Sequence, residues 1–112
     1  MTLGEKQRLF THYIGSLILW AYENGYELTF GDAYRTPAQA AANATAGIGI
    51  ANSLHCERLA VDFNLFKDDV YLTGTESYKP LGEFWESLHP LARWGGRFGD
   101  GNHFSFEHNG RK

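Results

Sequence analysis

Hydrophobic positions near the start of the chain follow two different periods. Apolar residues recur at three- and four-residue spacing over residues 9–21, which predicts an amphipathic helix. Thr2 and Glu5 have the spacing of a capping box at its start, and Asn24-Gly25 predicts its end. Apolar and polar residues then alternate over 26–31, and this period of two predicts a half-buried strand.

The middle of the chain repeats this order of helix and strand. Thr36-Pro37 predicts the start of an alanine-rich helix over residues 38–46. Glycine and small side chains over 47–54 predict a loop. Alternation over 59–65 predicts a second strand, in which Asp62 lies on the face opposite its apolar neighbours.

The remaining elements are short. Asp68-Asp69 breaks the second strand, and residues 70–72 are predicted to return as its hairpin partner. An apolar stripe over 81–88 predicts a helix, residues 94–97 a glycine-permitted turn, and residues 102–107 a last strand. Because helices and short strands follow each other without regular βαβ alternation, we expect an α+β domain with a small antiparallel sheet and helices packed on one side.

Composition narrows the class of protein. A chain of 112 residues predicts one domain over residues 1–112, and 43% hydrophobic with 21% charged residues is ordinary for a globular protein. A net charge of -3 without a cluster of lysine or arginine argues against nucleic-acid binding. Cys56 is the sole cysteine, so no intramolecular disulfide is expected. No apolar run reaches bilayer length, so membrane insertion is not expected, and the absence of a signal-peptide pattern predicts synthesis in a cytoplasm.

Three side chains suggest a metal centre. His55, Asp62 and His103 offer two imidazoles and one carboxylate, the ligand count of a catalytic zinc site with one open position. Asp100 precedes His103 by three residues, where it is placed to take a proton from a metal-activated water molecule. A single histidine is more often structural, and an aspartate between two glycines is more often a turn residue. Taken together, the four residues predict a zinc hydrolase.

The same residues form spaced motifs that resemble a known family. One motif consists of Ser53, His55, Ala60 and Asp62, and a second is Asp100-x-x-His103-Phe104. These motifs, with the segments 31–39 and 94–98, resemble the zinc D-Ala-D-Ala carboxypeptidase and L-alanyl-D-glutamate endopeptidase family, which cleaves peptidoglycan and includes phage endolysins and VanX- and VanY-type dipeptidases. The resemblance covers about residues 26–106 and implies a zinc cleft of the DD-peptidase and hedgehog type.

The resemblance also implies a role for each matching position. The implied roles are zinc ligation by His55, Asp62 and His103, acid/base catalysis by Asp100, binding of substrate or oxyanion by Arg35, and contacts to the peptide by Ser53 and Gln39. An ion pair between Arg35 and either Asp32 or a surface glutamate is an equally good interpretation of that arginine. The chain departs from the family at Asp100, where many members have glutamate, and at Arg58, where many have glycine.

The function expected from these observations is hydrolysis of peptidoglycan stem peptides or muropeptides by a zinc-dependent peptidase. The sequence leaves the oligomeric state open, with a monomer favoured. Both D-Ala-D-Ala and L-Ala-D-Glu bonds stay open as substrates, and loops 43–52 and 66–80 are expected to select between them. A phage or prophage enzyme would reach the wall after release from the cytoplasm, whereas a cytoplasmic enzyme would act on recycled muropeptides. The alternatives are a non-catalytic zinc-stabilised binding domain and a metal-dependent nuclease, which would need basic residues that the chain lacks.

Overall fold

The computed structural model describes residues 1–49 and 52–112. In these ranges, helices and strands follow one another in the order α1 (Leu3–Glu23), β1 (Glu27–Phe30), α2 (Pro37–Thr45), β2 (Ala60–Lys67), β3 (Val70–Leu72), α3 (Lys79–Leu88), β4 (Ala92–Trp94) and β5 (His103–Phe106). Short 3-10 helices occupy Leu54–Glu57, Thr75–Tyr78 and Gly95–Phe98. Among the described residues, no helix has both the length and the apolarity needed to cross a membrane.

The first helix begins and ends where the sequence predicts. The Thr2 hydroxyl accepts a hydrogen bond from the Glu5 backbone at 3.1 Å, while the Glu5 carboxylate accepts one from the Thr2 backbone at 3.2 Å. This reciprocal pair satisfies two backbone donors that the helix itself leaves free. At the other end, Asn24 caps the helix and Gly25 adopts a φ of +83°, a conformation that glycine reaches without steric cost.

The antiparallel sheet has β2 at its centre. Strand β1 pairs with one edge of β2, whereas β5 and then β3 pair with the other edge, and β4 pairs with the outer edge of β5. The predicted hairpin of β2 and β3 is therefore confirmed. Because β2 is paired on both edges, a side chain in the middle of this strand is held more firmly than one at the margin of the sheet.

The core lies on one face of this sheet, between the strands and the helices α1 and α3. Alternate residues of β2 are buried, as the period of two predicts. The largest fully buried side chains are Trp85, Phe63, Phe104, Phe106, Leu17, Leu59, Leu65 and Leu81. Asp62 stands on the face of β2 opposite Val61 and Phe63, so the polar site and the core are on different sides of one strand. The α+β architecture is confirmed.

Three short segments differ from the prediction. The predicted loop over 47–54 gives way at Leu54 to a 3-10 helix, and residues 50 and 51 lie outside the described residues. Residues 92–94 form a strand that the sequence did not indicate. The turn predicted over 94–97 is the end of that strand and a 3-10 helix, in which glycine is needed for close packing: a Cβ atom at Gly96 would overlap the Trp94 ring.

Candidate metal centre

Asp62 is fixed by backbone hydrogen bonds on both sides. Its amide donates to the carbonyl oxygen of Asp32 at 2.8 Å, and its own carbonyl oxygen accepts from the Gly31 amide at 2.8 Å. On the opposite edge, Asp62 is the direct cross-strand partner of His103. Since directly opposed side chains in an antiparallel pair lie on the same face, β2 and β5 bring the carboxylate and the imidazole together.

His55 lies in the 3-10 helix Leu54–Glu57 rather than immediately before a strand. The hydroxyl of buried Ser53 caps this helix by accepting a hydrogen bond from the His55 amide at 3.1 Å. Arg58 ends the helix in the left-handed conformation with a φ of 56°. This conformation is easiest for glycine, which accounts physically for the glycine of the resembled family at this position. The His55 ring is buried, and its Nδ1 lies 3.4 Å from the carbonyl oxygen of Ala33.

His103 enters β5 from a turn that also carries Asp100. Its backbone amide donates to the Asp100 carbonyl oxygen at 3.1 Å. Its ring nitrogen Nε2 lies 3.2 Å from the carbonyl oxygen of Lys112. A main-chain oxygen can only accept a hydrogen bond, whether it belongs to a peptide carbonyl or to a terminal carboxylate, so this contact requires hydrogen on Nε2 and leaves the lone pair of Nδ1 free to bind a metal.

The three predicted ligands converge on one point. Oδ1 of Asp62 lies 3.3 Å from Nε2 of His55 and 3.4 Å from Nδ1 of His103. All three ligand atoms lie within 4.8 Å of one another. Two ligands about 2.1 Å from a tetrahedral zinc are about 3.4 Å apart, so the observed separations suit such an ion.

One oxygen of the Asp62 carboxylate lacks a hydrogen-bond partner among the described residues. Its Oδ1 is buried and makes no hydrogen bond of good geometry among the described residues. Burial alone would raise the pKa of Asp62, but interactions with the His103 and His55 rings outweigh it and hold the pKa at about 2. A buried, ionised carboxylate oxygen between two imidazole nitrogens fits a divalent cation, and the triad could hold one.

Asp100 stands beside the triad without being part of it. Its Oδ2 lies 4.0 Å from Nδ1 of His103, and its side chain is about half exposed to the cleft. Burial raises the pKa of the Asp100 carboxyl above its usual value, and the nearby Asp62 charge adds to the effect. Asp100 is held by its own amide, which donates to the Gly95 carbonyl oxygen at 2.8 Å.

Arg35 lies in the same cleft and is paired with Asp32. Its Nη2 donates to the Asp32 carboxylate at 2.8 Å, which is the ion pair that the sequence left open. Its Nε is buried and has no hydrogen-bond partner among the described residues. This part of the guanidinium therefore remains free to donate to an acceptor. Such a bond would be favourable, because a buried donor without a partner is costly.

A single cleft of about 590 Å³ contains the triad, Arg35, Asp100 and Ser53. Gln39 lies on α2, where its side chain donates to the Asn43 side chain at 2.6 Å, and it is not among the described residues that line the cleft. Its contact with a peptide stays a prediction. The expected substrate loop 66–80 is largely ordered into β3, a 3-10 helix and the start of α3.

Sequence reasoning missed the backbone atoms that orient the two histidines. The carbonyl oxygens of Ala33 and Lys112 have no side-chain signature, so a search for ligand residues passes over them. The dipeptide Asn109-Gly110, which favours a tight chain reversal, was the available signal that Lys112 turns back toward the site.

Two solved structures have the same fold as this chain. The L-Ala D-Glu endopeptidase ChiX of Serratia marcescens superposes with a TM-score of 0.75 and 18% sequence identity, over 93% of this chain and 85% of that protein. A mutant of the D,D-pentapeptidase VanY from a VanB-type resistance cassette, solved with Zn(II), superposes with a TM-score of 0.60 and 20% identity, over 87% of this chain and 70% of that protein. No protein-family model matches the sequence, and no curated protein matches it significantly.

The chain therefore has the fold of VanY-like DD-peptidases, as the sequence motifs predicted. At 18% and 20% identity the likeness defines the fold alone, and only the residues of the cleft bear on the chemistry of this chain.

Proposed function

We propose that this protein is a zinc-dependent peptidase that hydrolyses peptide bonds in the stem peptides of bacterial peptidoglycan. The observation that carries the proposal is the buried Asp62 oxygen between the His55 and His103 rings, in a cleft that also holds Asp100 and Arg35. A purely structural zinc site is closed by four protein ligands, whereas three ligands beside a free carboxylate are typical of hydrolysis.

His55, Asp62 and His103 would hold the metal through Nε2, Oδ1 and Nδ1 respectively. When bound at such a site, zinc lowers the pKa of water to about 7 and polarises a carbonyl group. The hydrogen bonds from the outer ring nitrogens to the carbonyl oxygens of Ala33 and Lys112 orient the imidazoles for this purpose.

Asp100 would act as the general base and then as the general acid. Its carboxylate would accept the proton of the attacking water and return it to the amine that leaves when the peptide bond breaks. A carboxyl whose pKa is raised by burial is a better proton acceptor than an exposed one, because its conjugate acid is weaker. Aspartate is shorter than the glutamate of many members of the resembled family, so the closely packed backbone at Gly95 is needed to bring it near the triad.

Arg35 would stabilise negative charge on the substrate. The guanidinium group offers a rigid fork to a carbonyl oxygen that becomes an oxyanion, or to a carboxylate of the peptide. Its unpartnered Nε is the donor that remains after the ion pair with Asp32 is counted. Ser53 and Gln39 would contribute further contacts to the peptide.

The proposed substrate follows from the solved structures of the same fold, one an L-Ala D-Glu endopeptidase and the other a D,D-pentapeptidase. Both bonds occur in peptidoglycan stem peptides, and either could enter the cleft. If the protein is a phage or prophage enzyme, we infer that it is made in a cytoplasm and acts on the cell wall after its release.

Digestion of purified peptidoglycan tests the proposal. The zinc-loaded protein and a chelator-treated sample are incubated with the polymer, and the released fragments are analysed by mass spectrometry. We expect fragments only from the zinc-loaded sample, and their masses identify the bond. If protein shown to carry one zinc releases nothing from peptidoglycan or from muropeptides, the proposal fails and a non-catalytic binding domain of this fold is favoured.

A further inference from the structure

Residues 108–112 fold back on the chain as a tight hairpin. Asn109 and Gly110 both have positive φ angles, 50° and 77°, as a two-residue type I′ turn requires. The flanking residues His108 and Arg111 exchange two backbone hydrogen bonds of 3.0 Å. The chain direction is thereby reversed, and Lys112 is brought back alongside β5.

The 108–112 hairpin is anchored to the first helix. Lys6 of α1 donates a hydrogen bond to the carbonyl oxygen of Glu107 at 3.1 Å, and its ammonium group lies 3.0 Å from Nδ1 of His108. An ammonium group can only donate, so this contact selects the His108 tautomer that accepts at Nδ1. These bonds fix the hairpin at its base.

Arg111 and Lys112 of the hairpin contact both arms of the metal centre. The carbonyl oxygen of Lys112 lies 3.2 Å from Nε2 of His103. The Arg111 guanidinium donates to the side-chain and backbone oxygens of Asn52, at 2.9 and 3.3 Å, just before the 3-10 helix that carries His55. The same guanidinium lies 3.7 Å from the carboxylate of Glu57, the last residue of that helix.

We propose that the 108–112 hairpin is a positioning element of the metal site, through the Lys112 carbonyl on His103 and through Arg111 on the segment that carries His55. The proposal rests on the proposed function only in taking the triad as the metal site. Lys112 selects the His103 tautomer with a free Nδ1, and Arg111 holds the His55 segment at its distance from β5. Loss of such outer contacts typically lowers metal affinity by about 10- to 100-fold.

Because the Lys112 contact is made by the backbone, two variants separate it from the side chain. We expect deletion of Lys112 to raise the zinc dissociation constant of the full protein by about 10-fold or more, while Lys112→Ala leaves it unchanged. Arg111→Ala should also raise it, and Lys112→Ala is the matched control because it removes the same charge. Competition with a chromophoric chelator measures these constants without any substrate.

The His103 tautomer gives a second readout, independent of metal binding. Nitrogen NMR of the zinc-free protein at a pH where His103 is neutral should show hydrogen on Nε2 in the parent chain and a mixture of tautomers after deletion of Lys112. This measurement remains informative if the deletion lowers stability, provided that the fold is retained by circular dichroism. A change in the tautomer with intact fold cannot arise from general loosening of the core.

The outcomes distinguish this proposal from the proposed function. Equal zinc affinity for the parent, the deletion and Arg111→Ala would overturn the positioning role while leaving the peptidase intact. A parent protein that binds zinc tightly and responds to these variants, yet cleaves no peptide, would support the positioning role and contradict the peptidase.

Discussion

At the scale of single residues, two aspartates that face one cleft have different proposed roles, metal ligation for Asp62 and proton transfer for Asp100. Asp62 is enclosed by two imidazoles and has a pKa of about 2, so it stays ionised and suits a cation. Asp100 is more exposed, and burial raises its pKa, so it suits proton transfer. Their environments push the two pKa values apart, which is how one cleft obtains a ligand and a base.

The first prediction distinguishes proton transfer from metal ligation. We expect Asp100→Ala to keep zinc and to lose about 10²- to 10⁴-fold in the rate of peptide hydrolysis, because only the proton transfer is removed. His103→Ala should lose both zinc and activity. Metal analysis of the purified proteins beside the hydrolysis assay tests both expectations, and hydrolysis that persists in zinc-loaded Asp100→Ala would refute the mechanism.

A second prediction asks whether Arg35 acts on substrate or only pairs with Asp32. If the guanidinium contacts the substrate, Arg35→Ala lowers kcat/KM, whereas Asp32→Asn, which removes the ion pair and keeps the arginine, leaves activity within a few-fold of the parent. Asp32 is largely exposed while Arg35 is mostly buried, and an ion pair that is open to solvent on one side contributes only about 0–1 kcal/mol, so neither variant should unfold the protein. Equal activity losses in both variants would mean that the arginine serves only the ion pair.

At the scale of elements, close packing at Gly95 sets the distance between the turn of Asp100 and the strand of His103. A Cβ atom there would overlap the Asp100 carbonyl oxygen and lie 2.7 Å from the Cβ of His103. We expect Gly95→Ala to lower the free energy of unfolding by about 1–3 kcal/mol and to weaken zinc binding. Gly74→Ala is the matched control, since its Cβ meets nothing within 4 Å. Denaturant unfolding and zinc titration measure both effects, and unchanged zinc affinity in Gly95→Ala would contradict a role for this packing in the metal site.

The cap of α1 gives a prediction about pH. Hydrogen bonds from Thr2 hold the pKa of the Glu5 carboxyl below its usual 4.5, so the folded state favours the ionised form. Stability from this bond is present above the unfolded pKa and is lost as pH falls through the folded pKa. Glu5→Ala should therefore lower the thermal midpoint at pH 7 and have a smaller effect at pH 3.

Glu23, at the opposite end of α1, provides the control for this helix. A carboxylate in the last turn opposes the helix dipole, so Glu23→Ala should leave the midpoint at pH 7 unchanged or raise it slightly. A loss in Glu5→Ala that is equally large at pH 3 and pH 7 would show that the charge of Glu5 plays no part in the cap.

The sequence predicts a helix or strand well when the element is long and buries one face. Helix α1 and strand β2 have long periodic patterns, because one side of each packs on the core, and both were predicted correctly. Strand β4 has three residues, and the helix Leu54–Glu57 has four. Such segments are too short for a period, and their structure is decided by tertiary partners such as β5.

The candidate ligands could be found for a different reason. Histidine and aspartate carry the chemistry in their side chains, so motif spacing selects them even where no helix or strand is predicted, as at His55. The orienting carbonyl oxygens of Ala33 and Lys112 could not be found in this way, because any residue supplies a carbonyl and only the fold decides which one lies beside an imidazole.

At the scale of the whole molecule, the core and the metal site occupy opposite faces of β2. Val61, Phe63 and Leu65 pack into the core, whereas Asp62 faces the cleft. Burial of the large aromatic residues supplies the main driving force for folding, and it does not involve the triad. We therefore expect the protein to stay folded when zinc is removed, so that loss of activity on chelation reports the site and not unfolding.

The most direct test of zinc-dependent hydrolysis is a titration of zinc into the metal-free protein, with hydrolysis of peptidoglycan measured at each step. We predict no activity at the start, a linear rise as zinc is added, and a plateau at one zinc per chain. His103→Ala should remain inactive throughout. Full activity in the metal-free protein, or no activity at one bound zinc per chain, would contradict the proposed zinc-dependent hydrolysis.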